Sequence, residues 1–436
     1  MSVLNKQAHA PVLHGGAVTE SVQVHYLPNG VPVVIEHLPY LHGATAGVWF
    51  RTGSLNEAEE ENGLAHFIEH LFFKGTTNRS FHQIAVDIEG RGGQINAFTS
   101  HEYTCIYVRM MSEHIPFGLE VLADIVKNPL FAEEEIEKER NVVLEEIAAI
   151  EDSPDDYVFE LLHEFHWEDH PLGRPISGTE DSVSRFTRQE IVDFYRRWYQ
   201  PGNMLISVVG NVDTAAVLEK VTEEFAALPS NTHALDIPPP QFRSGTKVFP
   251  RDINQAHIAL AFPAPTVTDP KRYVCDLAST ILGGGTTSWL FHRIREELGL
   301  AYSVFTFHSF HKLSGVVGVY AAVAPEAVER TFEEIYQQLR KLRDEGVSQS
   351  ELEMNREQLK GNLLLALESS SHRMSRYARS LIFHNRIVSV TEILERIHAV
   401  SREEVQQFAQ ETFTPDKCAA VVHGRTNGAQ WDRVLL

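Results

Sequence analysis

The sequence predicts an α+β fold of two homologous domains, each a mostly antiparallel sheet with helices packed on one face. Three observations carry this expectation. Short β-branched runs give way to helical periodicity and then return. The same strand–helix order restarts after a proline-rich stretch. Residues 75–84, GTTNRSFHQI, match residues 285–294, GTTSWLFHRI, at an offset of 210, sharing Gly, Thr, Thr, Phe, His and Ile. Both matched segments follow a predicted helix at the same place in the order, which gives a short match weight.

The elements follow in sequence. VQVHYLPNGVPVVIEH (22–37) holds two β-branched runs around a PNG turn, and ATAGVWFRTG is a third strand. From about Glu61 the period turns helical through NGLAHFIEHLFFKG, with Gly75 placed to end the segment. QINAFTSHEYTCIYVRM (94–110) returns to strand character, and HIPFGLEVLADIVKN to helix. FAEEEIEKERNVVLEEIAAIED is a long helix with acidic residues in its first turn, where the helix dipole favours them. Further helix and the strand MLISVVGNV complete a first domain, residues 20–228. Residues 229–246, PSNTHALDIPPPQFRSGT, form a stiff linker. The second domain, 247–430, repeats the order in AHIALAFPAP, YVCDLASTILGGG, AYSVFTFHSF, GVVGVYAAV and long helices.

Composition narrows the function. The chain has 436 residues and a formal net charge of −21, so it lacks the basic surface that phosphate recognition requires, and no nucleic-acid partner is expected. An acidic balance suits cationic peptides better. Three scattered cysteines, Cys105, Cys275 and Cys418, give no disulfide framework and point to a reducing compartment. No apolar run approaches a membrane span, and the first arginine is Arg51, so a leader is not expected and the cytoplasm is the expected location.

The chemistry concentrates on the helix 62–74. Leu64, Phe67, Ile68, Leu71 and Phe72 make it apolar around much of its circumference, yet it carries His66, Glu69 and His70. Spacings of three and four stack all three on one face. A buried carboxylate beside two imidazoles must be paired or metal-bound. Two histidines one turn apart can ligate a tetrahedral zinc, with Glu69 beside it to take a proton from water. The same five residues also suit ordinary polar positions on an amphipathic helix. A catalytic zinc needs a third protein ligand. On the helix near 131–150, Glu139, Val142, Val143, Glu146, Ala149 and Ile150 share a stripe, while Glu145 falls with Lys138, Asn141 and Asp152 on a solvent face. Glu146 is the better ligand, and Glu139 suits a carboxylate that orients a ligating histidine; an ordinary surface glutamate is the alternative for Glu146.

These residues resemble the pitrilysin/insulinase family of inverted zincins, whose motif is H-x-x-E-H followed by a distant glutamate. Here His66-Phe-Ile-Glu69-His70 precedes Glu146 by 75 intervening residues, and GLAHFIEHLFFKGT, NAFTSHEYT and ERNVVLEEI look like the family's own stretches. The resemblance runs nearly the whole chain. It implies a zinc metalloendopeptidase with His66, His70 and Glu146 as ligands, Glu69 as the base, and one Zn²⁺ per chain. At the 210 offset, His66, Glu69 and His70 fall on Asp276, Ser279 and Thr280, and Glu146 on Arg356, so the second copy carries no metal. In the family the degenerate domain contributes an arginine and a tyrosine seven residues apart, matched by Arg295 and Tyr302. The glycine run Gly283–Gly285 departs from the family pattern, with Trp289 where arginine is frequent; without a following Lys-Ser/Thr it is no phosphate loop. Small two-domain members similar to the mitochondrial processing peptidase β subunit and bacterial processing proteases imply a homodimer enclosing a chamber, with a heterodimer containing a paralogue as the alternative. Peptide or unfolded polypeptide would bind as an added strand along Gln94–Ser100, with Asn96 and Ala97 on its backbone and Phe98 and Thr99 lining a pocket. Relatives that have lost the motif act as scaffold, the competing class here.

Overall fold

A computed structural model describes residues 20–229 and 236–426; residues 230–235 of the expected linker and 427–430 of the expected second domain lie outside the described residues. The chain forms two compact units, each built around one sheet, as the repeated strand–helix order implies.

The first unit comprises the described residues of Met1–Ile147, Pro175–Asp236 and Leu365–Thr391. Its strands are β1 (Val22–Tyr26), β2 (Pro32–His37), β3 (Gly43–Phe50), β4 (Gln94–Thr99), β5 (Thr104–Met111) and β6 (Met204–Gly210), in the order β1-β2-β6-β3-β5-β4. Every pairing is antiparallel except that of β2 with β6. Side chains alternate across the sheet. Val33, Ile35, Val48 and Val208 face a core shared with Leu64, Phe67 and Ile68. Val34, Trp49, Leu205 and Val209 face the other side and pack on Met374, Tyr377 and Leu381 of the helix Ser370–His384.

The second unit comprises the described residues of Ala148–Arg174, Ile237–Leu364 and Glu392–Leu436. Its strands are β7 (Gly245–Phe249), β8 (Ala256–Pro263), β9 (Ala301–Phe310), β10 (Gly315–Val323) and β11 (Ala419–His423), in the order β7-β11-β8-β10-β9. Only β7 and β11 run parallel.

Both sheets therefore carry a helix on the second face as well, and each comes from a distant part of the chain. Pro154–His166 belongs to the second unit although the first unit's last strand follows it in sequence, and Ser370–His384 belongs to the first. Amphipathic periodicity identifies a helix's buried face but not the sheet that buries it, so a linear division at the proline-rich stretch does not capture the exchange.

Candidate metal centre

The helix Leu64–Leu71 packs against β4 and β5, burying Leu64, Ala65, Phe67, Ile68 and Leu71 and leaving His66, Glu69 and His70 half-buried on its remaining face. Its start is held unusually. Gly63 sits at φ +99°, and a Cβ there would meet Gly178 Cα at 2.8 Å, so only glycine fits. No side chain at that position caps the helix. Instead the buried Glu57 reaches in, accepting bonds from the backbone N–H groups of Gly63 (2.9 Å) and Ala65 (2.7 Å) and from Asn62 Nδ2 (3.2 Å). Burial pushes the Glu57 carboxyl up to about 8, against the three donors that favour its charge. The charged run NEAEEEN gives no hint of which glutamate turns inward.

Glu146 arrives from the helix Glu133–Glu151, whose buried residues are Ile136, Glu139, Val143 and Ile147. Val142 and Ala149 face outward, contrary to the stripe expected from the sequence; this helix is charged around most of its surface, and its buried stripe keeps Glu139 and Val143 but runs through Ile136 and Ile147. Glu139 is buried as expected, and Glu146 borders the stripe.

These elements bring the expected set together. His66 Nε2 lies 3.8 Å and His70 Nε2 3.4 Å from Glu146 Oε2, and the three ligand atoms all fall within 4.8 Å of one another. Zinc bonds of about 2.0–2.2 Å in tetrahedral geometry separate ligand atoms by roughly 3.4 Å, so the residues fit that ion once the widest pair closes by up to about 1.4 Å. One buried atom beside the set, Glu69 Oε2, has no hydrogen-bond partner among the described residues. No other group of this kind occurs among the described residues.

The electrostatics divide the roles. Burial, reinforced by His70, pushes the His66 imidazole down to about 4, favouring its neutral, ligating form. For His70 burial opposes protonation, but bonds to Glu146 and Glu139 outweigh it and its pKa rises. Glu146 is held below the usual carboxylate range by its bond to His70. Glu69 is raised by burial, partly offset by the neighbouring Thr99 and His70. A raised carboxylate beside a metal set is suited to taking a proton. Glu139 accepts from His70 Nδ1 at 3.2 Å, as an orienting carboxylate would.

Strand β4 ends its sheet, bonded to β5 alone among the described residues. Asn96 lines a cavity of about 450 Å³ with Glu69 and His70, and its Oδ1 accepts from Ala97 N at 2.8 Å. Ala97 is buried, and Thr99 lies beside Glu69. Phe98 packs edge-on against Trp49, centroids 5.4 Å apart, away from the metal helix. In the second unit Arg295 Nη1 donates to Tyr302 O at 2.8 Å, and its guanidinium lies 4.5 Å from the Tyr302 ring centre. Both line a cavity of about 360 Å³ with Gly283–Gly285. Trp289 turns away into structure, donating to Glu351 Oε1 at 2.9 Å. At the degenerate positions Asp276 pairs with His308 (3.1 Å), Thr280 bonds the Asp276 carbonyl and Arg356 bonds the Val400 carbonyl.

With this geometry, family comparison is decisive. The model for "Insulinase (Peptidase family M16)" matches residues 32–180, and "Peptidase M16 inactive domain" matches residues 185–359. A Bacillus subtilis (strain 168) protein named an uncharacterized zinc protease, YmxG, is 37% identical over 394 residues, covering 90% of this chain and 96% of its own length. The chain belongs to the insulinase (M16) family. A Rickettsia felis protein, also named an uncharacterized zinc protease, is 34% identical over 404 residues, 92% of this chain and 98% of its own. The crystal structure of a protease from Helicobacter pylori superposes with a TM-score of 0.88 at 25% identity, covering 93% of this chain and 99% of that one. Family membership accords with the fold, and the metal set lies within the first matched segment.

Proposed function

We propose that the protein is a zinc metalloendopeptidase acting on peptides or unfolded polypeptides. The observation that carries this reading is the convergence of His66, His70 and Glu146 with the half-buried Glu69 alongside, the one such cluster among the described residues; one Zn²⁺ per chain is proposed. A scaffold has no physical reason to keep a half-buried constellation of two imidazoles and a carboxylate with a second carboxylate beside it, one of whose oxygens has no hydrogen-bond partner among the described residues. Bound there, Zn²⁺ would supply Lewis acidity toward a carbonyl and toward water.

The chain's own residues do the rest. Glu139 holds His70 through Nδ1, directing its Nε2 toward Glu146. Glu69 takes a proton from the attacking water and passes it to the leaving amine, with Thr99 beside the carboxylate. The open side of β4 offers backbone groups to an extended peptide, with Asn96 and Ala97 at the reacting end, which favours recognition of backbone over sequence. Arg295 and Tyr302 are proposed to donate to substrate carbonyls, Tyr302 helping to stabilise the oxyanion. Tyr302 is 78% exposed, as a residue awaiting a partner would be. We assign the pair to the site of a second copy, in a homodimer enclosing a chamber, with a paralogue as the alternative partner. The three free, buried thiols suit a reducing compartment such as the cytoplasm, and no helix among the described residues is long and apolar enough to cross a membrane.

The test is cleavage of a quenched basic peptide by purified protein. Activity that a chelator abolishes and zinc restores supports the reading; activity indifferent to chelator, or none with zinc bound, refutes it.

A further inference from the structure

Glu139 is 5% exposed, and a carboxylate so placed needs compensating partners. The structure gives it two: His70 Nδ1 at 3.2 Å on Oε2, and Lys74 Nζ at 2.7 Å on Oε1. Lys74 stands one turn beyond His70, just past the end of the helix Leu64–Leu71, so one carboxylate bridges a metal ligand and a fixed cation. This is not a loose surface pair, because the anion is buried and the Lys74 side chain is only 24% exposed. Its ammonium also lies 5.0 Å from the ring centre of Phe81, a further hold on its position.

We propose that Lys74 is a positioning residue for the metal centre, anchoring Glu139 so that it accepts the Nδ1 proton of His70 and leaves Nε2 directed at Glu146. The inference rests on the reading of this site as a zinc centre. A histidine ligand with a fixed donor bond on its other nitrogen keeps one tautomer and one ring orientation. Glu139 can provide that only while its carboxylate stays in place, and Lys74 occupies the oxygen that His70 does not. Charge supports the same arrangement. Glu69, Glu139 and Glu146 crowd three carboxylates around His70; in their ionised forms one divalent ion and the Lys74 ammonium balance them. Without Lys74 the loaded centre carries an uncompensated negative charge in a half-buried site.

The test uses the full chain carrying Lys74→Met or Lys74→Arg, with zinc affinity measured by competition with a chromophoric chelator. The thermal midpoint of the zinc-free proteins checks the fold, and kcat and KM on a quenched peptide complete the set. Lys74→Met should weaken zinc binding by about tenfold or more, within the range known for residues that orient metal ligands. It should lower kcat while leaving KM near that of the wild type. Lys74→Arg, which keeps the cation, should recover most of both. If Lys74→Met does not fold, Lys74→Gln, which keeps a donor without the charge, gives the same comparison. Wild-type zinc affinity in the Met or Gln variant overturns the proposal, and so does a rise in KM alone, which would make Lys74 a substrate contact. A wild-type protein that binds no zinc overturns the site reading itself, a separate outcome.

Discussion

Replacing Glu57 by glutamine probes how the helix bearing His66 and His70 is held, and its effect must depend on pH. The Glu57 carboxyl has an ordinary value of 4.5 and is pushed up to about 8 in the fold by burial. Between these values the unfolded chain has released the proton while the folded chain keeps it. The folded state then binds more protons, so its stability falls as pH rises. Each full unit of that window costs about 1.36 kcal/mol, and integration from pH 5 to pH 8 gives a loss of roughly 3 kcal/mol from this one group. Glutamine cannot ionise. It also cannot accept on both sides, so Glu57→Gln loses one of the two backbone bonds, from Gly63 or from Ala65, at about 1 kcal/mol. Urea unfolding of wild type and variant in excess chelator, which removes metal from the comparison, should show the wild type ahead near pH 5 and the variant ahead near pH 8. A difference between them that stays constant from pH 5 to pH 8 would refute the reasoning, because Glu57 would then cap the helix as a carboxylate throughout.

Three further outcomes follow from other elements. Arg373 Nη1 bonds the fully buried Glu36 at 2.7 Å, so Arg373→Met should destabilise the protein by about 3–5 kcal/mol by leaving that charge unpaired, read as a fall in the urea midpoint; a loss under about 1 kcal/mol would mean that the pair contributes little. Ala97→Pro removes a backbone donor from β4 and should raise KM strongly at normal zinc content, whereas unchanged kinetics would exclude peptide binding at that edge. Glu69→Gln and Arg295→Ala homodimers should each be nearly inactive, and mixed dimers should regain activity because one site is then whole; no recovery in a verified mixed dimer would show that Arg295 does not act across chains.

Much of the centre was legible in the sequence because its parts are local. His66, Glu69 and His70 lie within one helical turn and a half, and a polar triplet inside an apolar helix advertises itself. Glu146 and Glu139 were legible less directly. Their helix is charged on nearly every side, so the spacing places Val142, which is 48% exposed, in the apolar stripe with Val143 and leaves out Ile136 and Ile147. What escaped were the contacts made across the fold. Glu57 sits in a run of acidic residues, and only folding shows which of them bends back to the helix start. Lys74 looks like a helix-end cation until Glu139 is placed beside it. Thr99 meets Glu69 because β4 packs against the metal helix. The exchanged helices were hidden for the same reason. Val158, Leu161, Leu162 and Phe165 mark a buried face, as do Met374, Tyr377 and Leu381, but nothing in their spacing names the sheet each one covers.

The central claim is that His66, His70 and Glu146 hold the metal while Glu69 handles the proton, and metal analysis paired with peptide hydrolysis on Glu69→Gln tests it most directly. Glutamine keeps the size of the side chain but cannot take a proton from water. The account predicts one zinc per chain in both wild type and variant, with hydrolysis confined to the wild type. A zinc-free Glu69→Gln protein beside a fully loaded wild type would make Glu69 a ligand, and a variant that still cleaves peptide would take the proton chemistry away from it.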